Sequence, residues 1–513
     1  MEYTKFENAN GYTFSGDSLI SFSTLVIADG KVVEVGGKEV GDAYPEAQSV
    51  DVGGKTMLPG LIDAHGHVMG LGFQELNVNL VGVTSLEETL EKVKAYADAN
   101  PELEWIEGRG WNQVLWDGGE FPTAGDLDQI VSDRPVWLAR VDGHAAWGNS
   151  KAMQIAGISQ DTPDPQGGKI MRDERGRATG IFVDAAENYI QSQIPAPTKE
   201  IRELALDRAM LQLSKMGITA VHDAGITVND WELYTSFADK GALKARIYAM
   251  IGGAGTAFDS LSENGPIESY ADDMLALRSV KLYSDGALGS RGAAMLQPYS
   301  DDPGNKGLLF VDQEEMNQMI LKTSAKGYQT NVHAIGDAGN RQVLDAFEYA
   351  KNQLGDQALR HRIEHAQIVD IEDIPRFKDL DIIASMQPTH ATSDLNMAED
   401  RVGPHRIKGG YAWQTFLEQG TIVAAGSDFP VEHSNPFFGL YSAVTRMTQE
   451  GTPPEGWYPE EALSREQALK SFTVDAAYSG HQEKVLGSLE SGKWADFILI
   501  DRDYFEVPVT ELW

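Results

Sequence analysis

None of the 513 residues is a cysteine. Disulfides are therefore impossible, and a metal site has to use histidine, carboxylate or modified lysine instead of thiolate. Positive charge is also scarce. The 42 Lys and Arg face 77 Asp and Glu, a formal charge of −35. That balance excludes nucleic acid as a partner, because its phosphates demand Lys and Arg, and it argues equally against an anionic membrane surface. Basic residues are scattered, with no basic stretch interleaved with aromatics. The acidity reads as a solvated surface that aids solubility, with a salt-adapted source as the alternative. No uninterrupted apolar run is long enough to cross a bilayer. The opening Met1-Glu2-Tyr3-Thr4-Lys5-Phe6 lacks the apolar segment of a secretory leader. The expected location is the cytoplasm, with a removed leader left open. Repeats and low-complexity tracts are absent too, which leaves an ordinary globular chain, too long for one small core.

What is present begins at Thr56-Met57-Leu58-Pro59-Gly60-Leu61-Ile62-Asp63-Ala64-His65-Gly66-His67. In a strand, residues i and i+2 point to the same side, so His65 and His67 reach one point, as a metal ion needs. Gly66 is expected to leave room between them for the backbone and the ion. Four more apolar, strand-like runs each end near a possible ligand: Lys281 in Ser279–Gly286, His333 in Gln329–Asp337, His365 in Arg362–Ala366, and Asp428 in Thr421–Pro430. Two metal ions need about this many nitrogen and oxygen donors.

The order His-x-His, Lys, His, His, Asp resembles the metal-dependent amidohydrolase superfamily, whose hallmark is the Leu-Pro-Gly-Leu-Ile-Asp-Ala-His-Gly-His opening. The stretches Val280–Met295, Val332–Asn340, Arg362–Ala366, Gly426–Pro430 and Gly487–Phe497 resemble its amidohydrolase family 3 branch, which contains N-substituted formamide deformylase. These matches run from about residue 30 to residue 501.

The organisation agrees. Leu25–Ala28, Asp29-Gly30 and Lys31–Val35 read as a hairpin with Asp-Gly at the turn. Asp496–Asp501 reads as another strand. Neither β-rich end is large enough alone, so residues 1–55 and 484–513 are expected to pair into one small β-sandwich, an arrangement the resemblance also implies. Between them, residues 56–483 alternate strands with helical patterns. The strands of His65, Gly217–Asp223, Ala245–Ile251, Lys281, His333, His365, Ile382–Pro388 and Asp428 make eight, which points to a (β/α)8 TIM barrel in the α/β class with catalytic groups at the C-terminal strand ends. A helix is expected over Ile201–Met216, where apolar residues recur at helical spacing. An insertion over about 70–200 carries strands at Trp105–Gly108 and Pro135–Val141 and five tryptophans: Trp105, Trp111, Trp116, Trp137 and Trp147. An insertion after a barrel strand is expected to emerge over the active-site mouth, as part of the substrate pocket or a lid.

The resemblance implies two divalent metal ions. His65, His67 and Asp428 would hold the more buried one, and His333 and His365 the second. Lys281 is the unusual member, because an ammonium repels a cation. Burial lowers a lysine's pKa, and the free amine can add carbon dioxide. The resemblance implies that this carbamate bridges the two ions. Two dications are then offset by the carbamate, Asp428 and a bridging hydroxide. The metals would lower the pKa of that water and polarise a carbonyl, while Asp428 takes its proton and passes it to the leaving group. Zinc is the metal expected of the His and carboxylate set, with manganese, iron and cobalt as alternatives.

Further candidates are substrate contacts. His144, in Asp142–Asn149, has the chemistry to polarise a carbonyl or hold a carboxylate. Arg291 could pair with a substrate anion or form a structural ion pair. His390 and Trp116 complete the set. Asp337 is a candidate to orient a metal ligand, and His222 a supporting or structural histidine. The reading is a metal-dependent hydrolase cleaving a non-peptide carbon–nitrogen bond, an N-acyl or N-formyl amide, in a small molecule with an apolar part. A homodimer is expected from the resemblance. Alternatives are a mononuclear deaminase-type enzyme, an ester or lactone hydrolase on the same fold, and a non-catalytic scaffold.

Overall fold

In the computed structural model the described residues are 2–140, 145–165 and 168–513. The chain divides into two compact units, one of Met1–Val68 with Met210–Trp513 and one of Met69–Ala209. No described helix is long and apolar enough to cross a membrane.

Eight strands in the first unit form the TIM barrel: β1 Leu61–Gly66, β2 Ile218–Ile226, β3 Arg246–Gly252, β4 Leu275–Tyr283, β5 Gln329–Ala334, β6 Arg362–His365, β7 Ile383–Met386 and β8 Val423–Ala425. They are the eight expected, paired in chain order, and every ladder between consecutive strands is parallel. The circuit between β8 and β1 closes through single contacts. Asp428 N–H donates to His65 O at 2.7 Å and His67 N–H to Phe429 O at 2.8 Å. The buried Asp63 carboxylate accepts from His65 N at 3.1 Å and from Ser427 N and Oγ at 3.0 and 2.6 Å. Close approach here requires Gly426, because a Cβ would lie 2.5 Å from His65 N. Parallel strands need crossovers, and helices supply them, for example Gln313–Ala325 between β4 and β5 and Asp337–Leu354 between β5 and β6. Asp312 caps the first by accepting from Glu315 N–H.

The sandwich is two four-stranded sheets. One contains Lys31–Gly36, Thr24–Ala28, Tyr3–Glu7 and Gln48–Asp51; the other contains Phe497–Ile500, Thr56–Pro59, Asn10–Ser15 and Ser18–Phe22. Phe22, Leu25, Val32, Met57 and Leu489 fill their shared core. Asp29 and Gly30 turn the expected hairpin with φ of 51° and 75°, the conformation that makes Asp-Gly favourable there. The sandwich extends past residue 55. Thr56–Pro59 pairs with Phe497–Ile500, and the barrel starts at Leu61.

The second unit is built on a six-stranded mixed sheet of Gly168–Arg172, Ala178–Asp184, Ala145–Gly148, Val136–Arg140, Ile106–Trp111 and Val78–Asn79. Three of its five tryptophans serve its own core. Trp111, Trp116 and Trp147 pack into the unit's own core with Val136 and Leu138. Their indole N–H groups donate to the carbonyls of Leu138, Val83 and Thr123 at 2.7, 3.3 and 2.8 Å. A sheet this size needs a large apolar filling, and a buried indole needs one acceptor; both needs are met internally. The helix Lys199–Lys215 matches the expected Ile201–Met216 to within two residues at either end.

Candidate metal centre

All six expected ligands converge at the C-terminal ends of the barrel strands. His65 and Asp428 are buried, and His67 keeps 32% of its side chain exposed. The two imidazoles bracket Asp428, whose Oδ1 lies 3.1 Å from His67 Nε2 and 3.6 Å from His65 Nε2. Gly66 leaves space for an aromatic ring on its own face. The ring of Phe429 fills the space a Cβ would take, 2.5 Å away, because closing the barrel brings the β8 loop against β1. Lys281 Nζ sits 3.3 Å from His65 Nε2. The His365 ring lies 4.9 Å from that of His65 and 4.5 Å from that of His333. Donor atoms of His65, His365 and Asp428 all lie within 4.8 Å of one another.

Two of the expected ligands arrive through backbone that a strand does not use. His365 has φ of 74° and Asp428 of 62°. In a regular strand Glu364 and His365 would face opposite sides. The left-handed turn at His365 breaks that alternation, so Glu364 and His365 both reach the His65 imidazole.

Hydrogen bonds select the imidazole tautomers. Glu364 accepts from His65 Nδ1–H, and Gln387 Oε1 accepts from His365 Nδ1–H at 2.7 Å. Each leaves an Nε2 lone pair free. His333 Nε2–H donates to Gly286 O at 3.5 Å, which leaves the lone pair on its Nδ1. Burial, then the Lys281 charge, lowers His65 to about 4 and His333 to about 3; burial and the His333 charge drop His365 well below its usual range. Neutral imidazoles are the form that binds metal. Burial brings Lys281 down to about 8. Burial pushes Asp428 up, but the nearby His67, His65 and His390 outweigh it and hold the carboxyl at about 2. Asp428 Oδ1 and His390 Nε2 are buried without a hydrogen-bond partner among the described residues. Neutral lone pairs, an ionised carboxylate and an unsatisfied buried oxygen together fit a divalent cation.

The remaining candidates separate. His390 joins the site, with Nε2 3.7 Å from Asp428 Oδ2 and its ring stacked on His365 at 5.7 Å. Arg291 gives its guanidinium to Asp301, with nitrogen–oxygen distances of 2.9 and 3.1 Å; the structural ion pair is the arrangement found. Trp116 is a core residue of the second unit. His144 lies outside the described residues. Asp337 does not orient His333; it accepts from Leu296 N–H at 2.7 Å and anchors a loop. Asp285 lies beside His333 instead, 3.7 Å from Nε2, while accepting from the backbone of Ala294, Ile335 and Gly336. His222 is fully buried, and its Nδ1 accepts from Arg362 Nη1–H at 2.8 Å. Glu364 and Arg362 escaped the sequence reading, although charged residues alternating with Ile363 in a buried run were a signal for them.

A sequence model of the amidohydrolase family matches residues 48–512. The Arabidopsis thaliana Protein LONG AFTER FAR-RED 3 is 34% identical, with 97% of this chain and 87% of that protein covered. N-substituted formamide deformylase of Arthrobacter pascens is 29% identical, with 98% and 94% covered. The crystal structure of an uncharacterised metal-dependent hydrolase from Pyrococcus horikoshii OT3 superposes with a TM-score of 0.82 at 28% identity, covering 99% of each chain. With the barrel, its ligand order and these matches in agreement, the chain belongs to the amidohydrolase family and has the fold of its metal-dependent hydrolases.

Proposed function

We propose that this protein hydrolyses a non-peptide carbon–nitrogen bond, an N-acyl or N-formyl amide, with two divalent cations at the barrel mouth. The observation that carries the reading is Lys281, buried 3.3 Å from a histidine that keeps a lone pair for metal. An ammonium there opposes a cation. A free amine would instead add carbon dioxide, releasing one proton, and the resulting carbamate would offer anionic oxygen donors to the ions. His65, His67 and Asp428 would hold one ion and His333 and His365 the other, and zinc suits these donors. Bound there, such ions supply Lewis acidity toward a carbonyl and toward water.

The chain's residues supply the rest. Asp428, ionised and held at about 2, accepts the proton of the attacking water and delivers it to the departing nitrogen. The buried imidazoles stay neutral and keep their lone pairs. His390, 3.7 Å from Asp428 Oδ2, would contact the substrate carbonyl oxygen. The relative named N-substituted formamide deformylase supports the choice of bond. One observation favours a second reading, a mononuclear deaminase-type site: His65, His365 and Asp428 alone suffice for one ion.

Elemental analysis of protein grown without chelators, paired with turnover of a panel of N-substituted formamides, tests both. About two ions per chain with amide cleavage is the expected result. One ion with deamination supports the second reading. No metal uptake, even with bicarbonate present, refutes both.

A further inference from the structure

The proposed ligands leave unused a buried charge pair on β6. Arg362 and Glu364 are both fully shielded from solvent. Glu364 Oε2 accepts from Ser385 Oγ at 2.7 Å and from Arg362 Nη2 at 2.9 Å, while Oε1 lies 2.7 Å from Arg362 Nε. The same Oε2 holds His65 Nδ1. Arg362 is anchored in turn, to Ala64 O at 2.6 Å on β1, His222 Nδ1 at 2.8 Å on β2 and Ser385 Oγ at 2.8 Å on β7. One guanidinium therefore reaches four strands and fixes one carboxylate.

A buried ion pair is a weak source of stability, because desolvation cancels most of its attraction. Its placement suggests another use. An ionised carboxylate has no hydrogen to give, so the shared one resides on His65 Nδ1. Nε2 is then the lone-pair nitrogen, and it faces Lys281 Nζ at 3.3 Å and Asp428 Oδ1 at 3.6 Å. We propose that Glu364, pinned by Arg362, is the positioning residue that sets the tautomer and ring orientation of His65. The ion held by His65 thus depends on a carboxylate that never touches it. This rests on the metal-hydrolase reading above.

The test strips the protein of metal and titrates zinc against a chromophoric chelator, in wild type, Glu364→Gln and the double variant Arg362→Met/Glu364→Leu. The double variant removes both charges at similar volume and guards against misfolding caused by an unpaired Arg362. Loss of a partner that orients a ligating histidine costs about 10–100-fold in metal affinity. The expected result is that loss at one ion in both variants, with any second ion within about threefold of wild type and the double variant melting near wild type. Cobalt loading adds a spectroscopic check, since the visible bands of only one site should change. Folded variants that bind zinc as tightly as wild type overturn the positioning role and leave the metal reading intact. So does equal weakening at both ions with a lowered melting temperature. Wild-type protein that takes up no zinc overturns both. A long-range proton–nitrogen spectrum of histidine-labelled wild type, with His65→Gln for assignment, needs no charge variant. His65 protonated on Nε2 in that spectrum refutes the proposal.

Discussion

Asp428→Asn separates chemistry from architecture. The side-chain amide keeps the shape of the carboxylate, and after glycine asparagine is among the residues that best tolerate the φ of 62° held at this position. The backbone bonds Asp428 N–H to His65 O and Val431 N–H to Asp428 O do not involve the side chain. What the variant loses is a negative charge close to three imidazoles, at 3.1, 3.6 and 3.7 Å. In the metal-free protein the carboxyl is held at about 2, below its ordinary value of 3.8. A depressed folded-state pKa contributes stability above the unfolded value, and that contribution fades as pH falls toward 2. At pH 7 it amounts to about 2 kcal/mol, so the metal-free variant should melt a few degrees lower at most. Turnover should suffer far more. Losing a positioned base costs about 10²–10⁴-fold, or roughly 3–5 kcal/mol in the barrier. The assay is kcat and kcat/KM on an N-substituted formamide with metal content measured on the same sample. A variant carrying the wild-type metal load and turning over within threefold of wild type would refute Asp428 as the base.

Three other outcomes follow from the same geometry. Lys281→Met should stabilise the metal-free protein at pH 7 by up to about 3 kcal/mol while abolishing the second ion. Burial lowers the lysine from 10.5 to about 8, so its ammonium costs stability in full below pH 8, and the cost fades as pH rises toward 10.5; melts of metal-free protein at pH 7 and 10 check the sign. Trp116→Ala should cost the second unit about 3–5 kcal/mol, read as faster hydrogen exchange across its six-stranded sheet while the barrel strands keep their protection. Arg291→Ala should leave the melting temperature close to wild type, since its ion pair with Asp301 is partly exposed, and should leave KM within twofold. A tenfold rise in KM for an anionic substrate would return Arg291 to the substrate site.

The eight barrel strands were legible in order because each is a local event: a short apolar run, a polar residue near its end, then a turn. The Asp29-Gly30 hairpin was legible for the same reason. The side chains proposed as ligands could be located at the strand ends with them, since a barrel gathers those ends whatever its loops do. Other features depend on contacts between residues far apart in the chain. Glu364 meets His65 across 299 positions, a pairing that exists only once β1 and β6 are placed in one closed sheet. The left-handed turns at His365 and Asp428 redirect side chains that strand periodicity would have sent elsewhere. Phe429 occupies the gap at Gly66 because β8 closes on β1. That Trp111, Trp116 and Trp147 fill one core depends on the sheet of the insertion bringing them together. Period and composition specify which elements form and which faces are apolar. Which buried charge finds which partner is settled by strand order and closure, and these have no local signature.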